Sequence, residues 1–228
     1  YKGRKLNELY DEHPEMFGTP STLRWEHIPV SMGIGHACTD LSIQVHPTEE
    51  YALKNLGCHG KSESWYIVNC PHNADIVMGH NAKTIQELDE YIQNKDWKGL
   101  LKRYPIFPGA FYNIQAGTLH AIQKGTTFME VCNPCPVTYR FYDYDRLDKQ
   151  GKPRQLDVEK AKDNILVPFE CQDTHYSYRN HQGVTEIKLT DNKNFSVYKY
   201  VINGSGELTM PKPYLGAFVI EGQGQIED

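Results

Sequence analysis

Four residues in the first half of the chain have the types that hold a divalent cation: Gln44, His46, Glu63 and His120. Gln44 and His46 lie two apart in Leu41-Ser42-Ile43-Gln44-Val45-His46-Pro47. Glu63 lies in Gly60-Lys61-Ser62-Glu63-Ser64-Trp65-Tyr66, and His120 in Ala116-Gly117-Thr118-Leu119-His120-Ala121. Two imidazoles, a carboxylate and an amide oxygen can bind one metal ion and leave a position for substrate. With one carboxylate and three neutral ligands, a divalent ion would keep a net charge of about +1 and remain a Lewis acid. Taken singly, a histidine in a strand is more often a hydrogen-bonded core or surface residue, and the chain has 10 of them. The specificity lies in the combination.

These side chains need elements that converge. Alternate residues of a strand share a face, so an extended segment projects Gln44 and His46 together and turns Ile43 and Val45 the other way. Pro47 then ends the strand or places it at an edge. Glu63 precedes the strand-like Trp65 to Val68, and Gly117 allows a tight turn that aims His120 inward. Further β-branched and aromatic runs at Ala74–Met78, Ala110–Ile114, Thr127–Val131 and Val137–Tyr142 are punctuated by Gly, Pro and Asn. That spacing predicts an all-β sandwich or barrel. Helical patterns interrupt it. Leu6, Leu9 and Tyr10 have i, i+3, i+4 spacing. Thr84 to Glu87 forms a capping box before an apolar stripe of Ile85, Leu88 and Ile92. Asp96 to Tyr104 reads as a further turn or two of helix, and Asp157 to Lys162 as a short one. The expected division is a metal-binding unit over 1–145 with a helical insert near 84–104, a polar connection over 146–185, and the start of a second β unit over 186–228.

Composition narrows the function. The chain of 228 residues is 39% hydrophobic and 23% charged, and its net charge is -5. These values fit an ordinary globular protein and argue against a nucleic-acid or anionic-membrane partner. No apolar run approaches the roughly 20 residues that span a bilayer. Six scattered cysteines and the lack of a signal-peptide pattern give the expectation of reduced thiols and a cytoplasmic location. Cys132-Asn133-Pro134-Cys135 reads as a zinc knuckle, a redox pair or a turn between strands. No second CxxC completes a zinc site, which favours the turn. The chain opens on Tyr1 and stops soon after Leu215–Gly222, which reads as a strand and turn without partners. The expectation is a piece of a longer protein.

Taken together, these motifs resemble type I mannose-6-phosphate isomerase (phosphomannose isomerase) in its short bacterial form, a member of the cupin superfamily. The resemblance runs from about Gly3 to the end. It is densest at the three motifs quoted above and at Thr138-Tyr139-Arg140-Phe141-Tyr142-Asp143-Tyr144-Asp145-Arg146. The stretch from Gly3-Arg4-Lys5-Leu6 to Phe17-Gly18 is similar to the family's helix leading into the barrel. The resemblance implies a cupin jelly-roll followed by part of a second barrel, one Zn²⁺ per chain on Gln44, His46, Glu63 and His120, and interconversion of mannose 6-phosphate and fructose 6-phosphate. It matches Arg140 to the active-site arginine and Lys61 to a substrate-side lysine. The small-molecule partner it implies is a sugar phosphate. At Gly33 the chain departs from the pattern, because the family usually has a phosphate-binding lysine there.

The residues alone leave alternatives open. Arg140 can hold an oxyanion or phosphate in fixed geometry, or form a surface salt bridge. Lys61 can bind phosphate, shuttle a proton if its pKa is lowered, or be a solvated loop charge. Two histidines and a carboxylate also form the facial triad of Fe(II) oxygenases, against which Gln44, Lys61 and Arg140 weigh. A degenerate cupin that binds a sugar phosphate without turnover is the non-catalytic alternative. The residues identify neither the general base nor the oligomeric state.

Overall fold

A computed structural model describes residues 3–17, 28–171, 175–207 and 214–225. The elements in chain order are α1 (Leu6–Glu12), a 3₁₀ turn (Pro14–Phe17), β1 (Ser31–His36), β2 (Ile43–Val45), α2 (Glu49–Asn55), β3 (Glu63–Asn69), β4 (Asp75–His80), α3 (Ile85–Gln93), α4 (Trp97–Leu100), β5 (Leu101–Pro105), β6 (Phe111–Ile114), β7 (His120–Ile122), β8 (Thr127–Cys132), β9 (Tyr139–Tyr142), α5 (Val158–Lys162), β10 (Ser177–His181), β11 (Val184–Asp191) and β12 (Ser196–Ile202). The first nine strands form two antiparallel sheets, ordered β1-β8-β3-β6 and β5-β4-β7-β2-β9.

Residue alternation explains how these sheets stack. Trp65 and Ile67 of β3, Ile114 of β6 and Phe128 of β8 meet Ile76 and Met78 of β4 and Ile122 of β7 in one buried cluster. This is the interior between the sheets. The opposite face of the five-stranded sheet presents Ile43, Val45, Val77, Ala121, Tyr139 and Phe141, covered by Leu88 of α3, Leu100 of α4 and Ala161 of α5. The apolar residues that flank Gln44 therefore face the helices, and Gln44 is left for the interior face.

The helices have local causes. Thr84 Oγ1 accepts from Glu87 N at 3.2 Å, while the Glu87 carboxylate reaches back to Lys83 N at 2.7 Å, one residue beyond a standard box. Leu88 is fully buried, but Ile85 of the expected stripe is 49% exposed. The stretch from Asp96 to Tyr104 is helical only over Trp97–Leu100. Leu101 to Pro105 instead extends as β5, because β4 offers a free edge with Ile76 opposite Tyr104 and Val77 opposite Arg103. Helix α2 was not expected; Thr48 caps it by accepting from Tyr51 N.

A third sheet, β10-β11-β12, spans 177–202. Its pairing begins at Ser177, inside the stretch read as a connection. Asn113 Nδ2 donates to Thr190 Oγ1 at 2.8 Å and Lys199 Nζ to Tyr66 Oη at 2.9 Å, which docks this sheet on the outer side of β3 and β6. The strand expected over Leu215–Gly222 is absent: these residues are irregular and mostly exposed. A strand persists only where an edge pairs with it, and no described strand pairs with this segment. Gly18 lies outside the described residues. Among those described, no helix is long and apolar enough to cross a membrane.

Candidate metal centre

Strand register assembles the site. On the five-stranded sheet Gln44 pairs with His120 on one side and with Arg140 on the other, and His120 pairs in turn with Met78. Paired residues share a face, so Arg140, Gln44, His120 and Met78 form one row pointing inward. The facing sheet supplies Glu63 at the start of β3, opposite Ile114 and Cys132. His46 follows β2, and the Gly117 turn ties it to His120. Gly117 has φ +87°, and its N–H donates to the His46 carbonyl at 3.0 Å.

His46, Glu63 and His120 meet with their ligand atoms all within 4.8 Å of one another. His46 Nε2 lies 3.2 Å from Glu63 Oε2, and His120 Nε2 lies 3.2 Å from Glu63 Oε1. The three residues are at most 2% exposed. Both imidazoles point their other nitrogen at a carbonyl: His46 Nδ1 at Val137 O (3.2 Å) and His120 Nδ1 at Thr118 O (2.8 Å). A carbonyl only accepts, so both rings carry a proton on Nδ1, and Nε2 is the nitrogen left to serve as a metal ligand. His46 Nε2 and Glu63 Oε1 are buried with no hydrogen-bond partner among the described residues, and Glu63 Oε2 has the Lys61 ammonium 3.1 Å away. Such a buried constellation is costly unless a cation sits within it. The spacing also fits, because ligands at zinc-like distances in a tetrahedron lie about 3.3 Å apart. The Nδ1 contacts are the outer-shell bonds that fix metal-binding histidines.

Gln44 Nε2 lies 3.3 Å from His120 Nε2. The carboxamide has the same shape either way round, and a half-turn presents Oε1 to the cluster instead. Burial pushes the pKa of His46 down, which keeps it neutral. Burial alone would raise Glu63, but the His120 and His46 imidazoles outweigh it and hold its carboxyl well below the usual range.

Lys61 is largely buried, with Nζ 3.1 Å from Glu63 Oε2 and 3.5 Å from Glu130 Oε1. Burial opposes its charge, yet Glu63 and Glu130 outweigh burial and raise its pKa above the usual lysine range. Arg140 stands beside Gln44. Its Nη1 donates to Gln155 O at 3.0 Å and its backbone N to Asp157 Oδ2 at 3.3 Å, while Nε has no acceptor among the described residues. Cys132 to Cys135 forms a turn between β8 and β9, with Cys135 N donating to Asn133 O.

Glu130 was missed in the sequence. It pairs with Trp65 across β3 and β8, on the face that carries Glu63, and accepts from Trp65 Nε1 at 3.2 Å. The available signal was alternation: in Thr127–Val131, Glu130 shares its face with the apolar Phe128. Gly33 pairs with Glu130 on the other side, and a Cβ there would meet nothing within 4 Å. The position at which the resemblance expects a lysine thus borders the site and is open.

No family model matches the chain. Among curated proteins, it is 39% identical over 227 residues to the mannose-6-phosphate isomerase ManA of Bacillus subtilis (strain 168), covering 99% of this chain and 71% of that protein. It is 38% identical over 226 residues to the mannose-6-phosphate isomerase of Streptococcus mutans serotype c, covering 99% and 70%. The crystal structure of the mannose 6-phosphate isomerase from Bacillus subtilis superposes with a TM-score of 0.82 at 41% identity, over 90% of this chain and 64% of that one. A phosphomannose isomerase from Salmonella typhimurium, at 13% identity and TM-score 0.62, shares the fold over 86% of this chain and 70% of its own. The chain thus spans about two thirds of the solved Bacillus structure and 70–71% of the curated relatives. The fold is the expected all-β cupin, and by its likeness to these relatives the chain belongs to the mannose-6-phosphate isomerase family.

Proposed function

We propose that this chain carries the active site of a zinc-dependent aldose–ketose isomerase that interconverts mannose 6-phosphate and fructose 6-phosphate. The observation that carries the reading is the buried convergence of His46 Nε2, His120 Nε2 and both Glu63 oxygens, their ligand atoms within 4.8 Å of one another, beside a Lys61–Glu130 pair. His46, Glu63 and His120, with Gln44 as the fourth ligand, hold the metal. A bound zinc ion would supply a Lewis acid for the oxyanion that develops on the sugar.

The chain's own residues do the rest. Glu130 is the carboxylate of the site that is not committed to the metal. As general base it takes the C2 proton of the open-chain aldose, the C–H electron pair becomes the C1–C2 double bond of an enediolate, and the C1 carbonyl electrons move onto oxygen. Return of the proton to C1, with transfer of the hydroxyl proton from O2 to O1, gives the ketose. Arg140, permanently charged and already on the ligand row, stabilises the developing oxyanion or the phosphate. Lys61 serves as a fixed cation. Cytoplasmic location belongs to the same proposal, as does the division into a metal-binding unit over 1–145 and a second β unit, the latter now begun with β10.

The test is turnover by the metal-loaded, full-length protein. Conversion of mannose 6-phosphate to fructose 6-phosphate with about one zinc bound supports the reading. Sugar-phosphate binding without turnover favours the degenerate cupin, and Fe(II)-dependent oxygen consumption favours the oxygenase.

A further inference from the structure

We propose that Trp65 is a positioning residue for the isomerisation: its indole N–H fixes the Glu130 carboxylate next to the metal-binding cluster. The proposal rests on the functional reading above, in which Glu130 carries the proton. Glu130 has a flexible side chain that is 30% exposed. Unrestrained, it would sample several rotamers and spend much of its time in water. A proton transfer needs it held in one place.

Three donors approach it. Lys61 Nζ is 3.5 Å from Oε1 but lies closer to Glu63, at 3.1 Å. Cys132 Sγ, a weak donor, is 3.3 Å from Oε1. Among the described residues, Trp65 Nε1 alone takes Oε2, at 3.2 Å. This donor is rigid. Trp65 is 1% exposed, packs edge-on to His120 with centroids 5.5 Å apart, and lies tilted against Phe128 at 5.0 Å. The ring cannot swing without disturbing a ligand histidine. Indole N–H does not titrate and only donates, so it orients a carboxylate without competing for the proton. Packing alone would be served by phenylalanine. A buried indole N–H needs an acceptor, and here the acceptor is the one free carboxylate of the site. One residue thus touches both the ligand histidine His120 and the base, and it pairs with the base across β3 and β8.

The experiment replaces Trp65 by 3-benzothienylalanine in the full-length, zinc-loaded protein, which keeps the ring's shape and puts sulfur in place of N–H. Trp65→Phe is the genetically encoded companion. The expected result is a fall in kcat of about 10- to 100-fold, the scale of one hydrogen bond to a charged group, with KM within about twofold and zinc still at one per chain. The primary isotope effect with mannose 6-phosphate deuterated at C2 should rise, because the proton step becomes more rate-limiting. On a Glu130→Gln background the same replacement should change kcat no further, since its target is gone. An unchanged kcat, a loss that only tracks zinc content or thermal stability, or full additivity with Glu130→Gln would overturn the role of Trp65 while leaving the isomerase reading intact. No turnover by the zinc-loaded wild type would overturn both.

Discussion

Gly117→Ala is the perturbation whose cost can be worked most fully. Gly117 has φ +87°, and an added Cβ would lie 2.6 Å from Asn164 O and 2.8 Å from Leu166 Cγ. The left-handed conformation costs an L-residue about 1–2 kcal/mol. Overpacking against the fixed backbone of Asn164 adds about 1–3 kcal/mol. The sum, about 2–5 kcal/mol, lowers Tm by roughly 4–20 °C for a chain of this length. The same turn donates to the His46 carbonyl and leads into His120, so relief of the clash displaces two ligands at once. Zinc affinity should therefore fall by about 10- to 100-fold, as for loss of outer-shell support. Gly151→Ala is the control: φ is +75° with nothing within 4 Å, so it bears only the conformational cost and leaves the metal alone. Thermal unfolding and competition with a chromophoric chelator read both effects. If Gly117→Ala were as stable and as tightly metal-bound as Gly151→Ala, the claim that this turn sets the ligand geometry would be refuted.

Three further outcomes follow from the same geometry. Glu130→Gln should retain zinc and lose about 10²- to 10⁴-fold in kcat, the usual worth of a general base, as measured by a coupled fructose 6-phosphate assay. Arg140→Lys keeps the charge but not the planar fork that reaches Gln155 O, and should lower kcat by about 10²-fold with zinc content unchanged. Asp143 is held below the ordinary carboxylate range: burial would raise its pKa, but hydrogen bonds from Arg154 and Arg146 outweigh burial. Because its folded pKa is depressed, its contribution is present above the unfolded value near 3.9 and is lost as pH falls through that range toward the folded pKa. Asp143→Asn should cost about 1–2 kcal/mol at neutral pH, a figure kept low because the arginines are 30% and 44% exposed, and should flatten the acid limb of the stability curve.

The convergence of His46, Glu63 and His120 was legible from the combination of motifs and the resemblance it carries, with strand alternation and a glycine turn as local support. Gln44 and His46 two apart, with Ile43 and Val45 turned to the helices, needed only the period of a strand. What was not legible depends on pairing between distant segments. Leu101 to Pro105 has a helical flank and becomes a strand because β4 offers its edge. Leu215 to Gly222 has strand composition but pairs with no described strand and is irregular. Glu130 and Trp65 each looked like ordinary strand residues, and only the β3–β8 register puts one against the other. The anchoring of Arg140 through Gln155 and Asp157 is likewise invisible locally, since it joins residues 15 and 17 positions apart.

The most direct test of the central claim is the rate of fructose 6-phosphate formation as chelator-stripped full-length protein is titrated with zinc. The account predicts no turnover without metal and a linear rise that plateaus at one zinc per chain. Turnover that survives stripping, or a fully zinc-loaded protein that leaves mannose 6-phosphate unchanged, would contradict it.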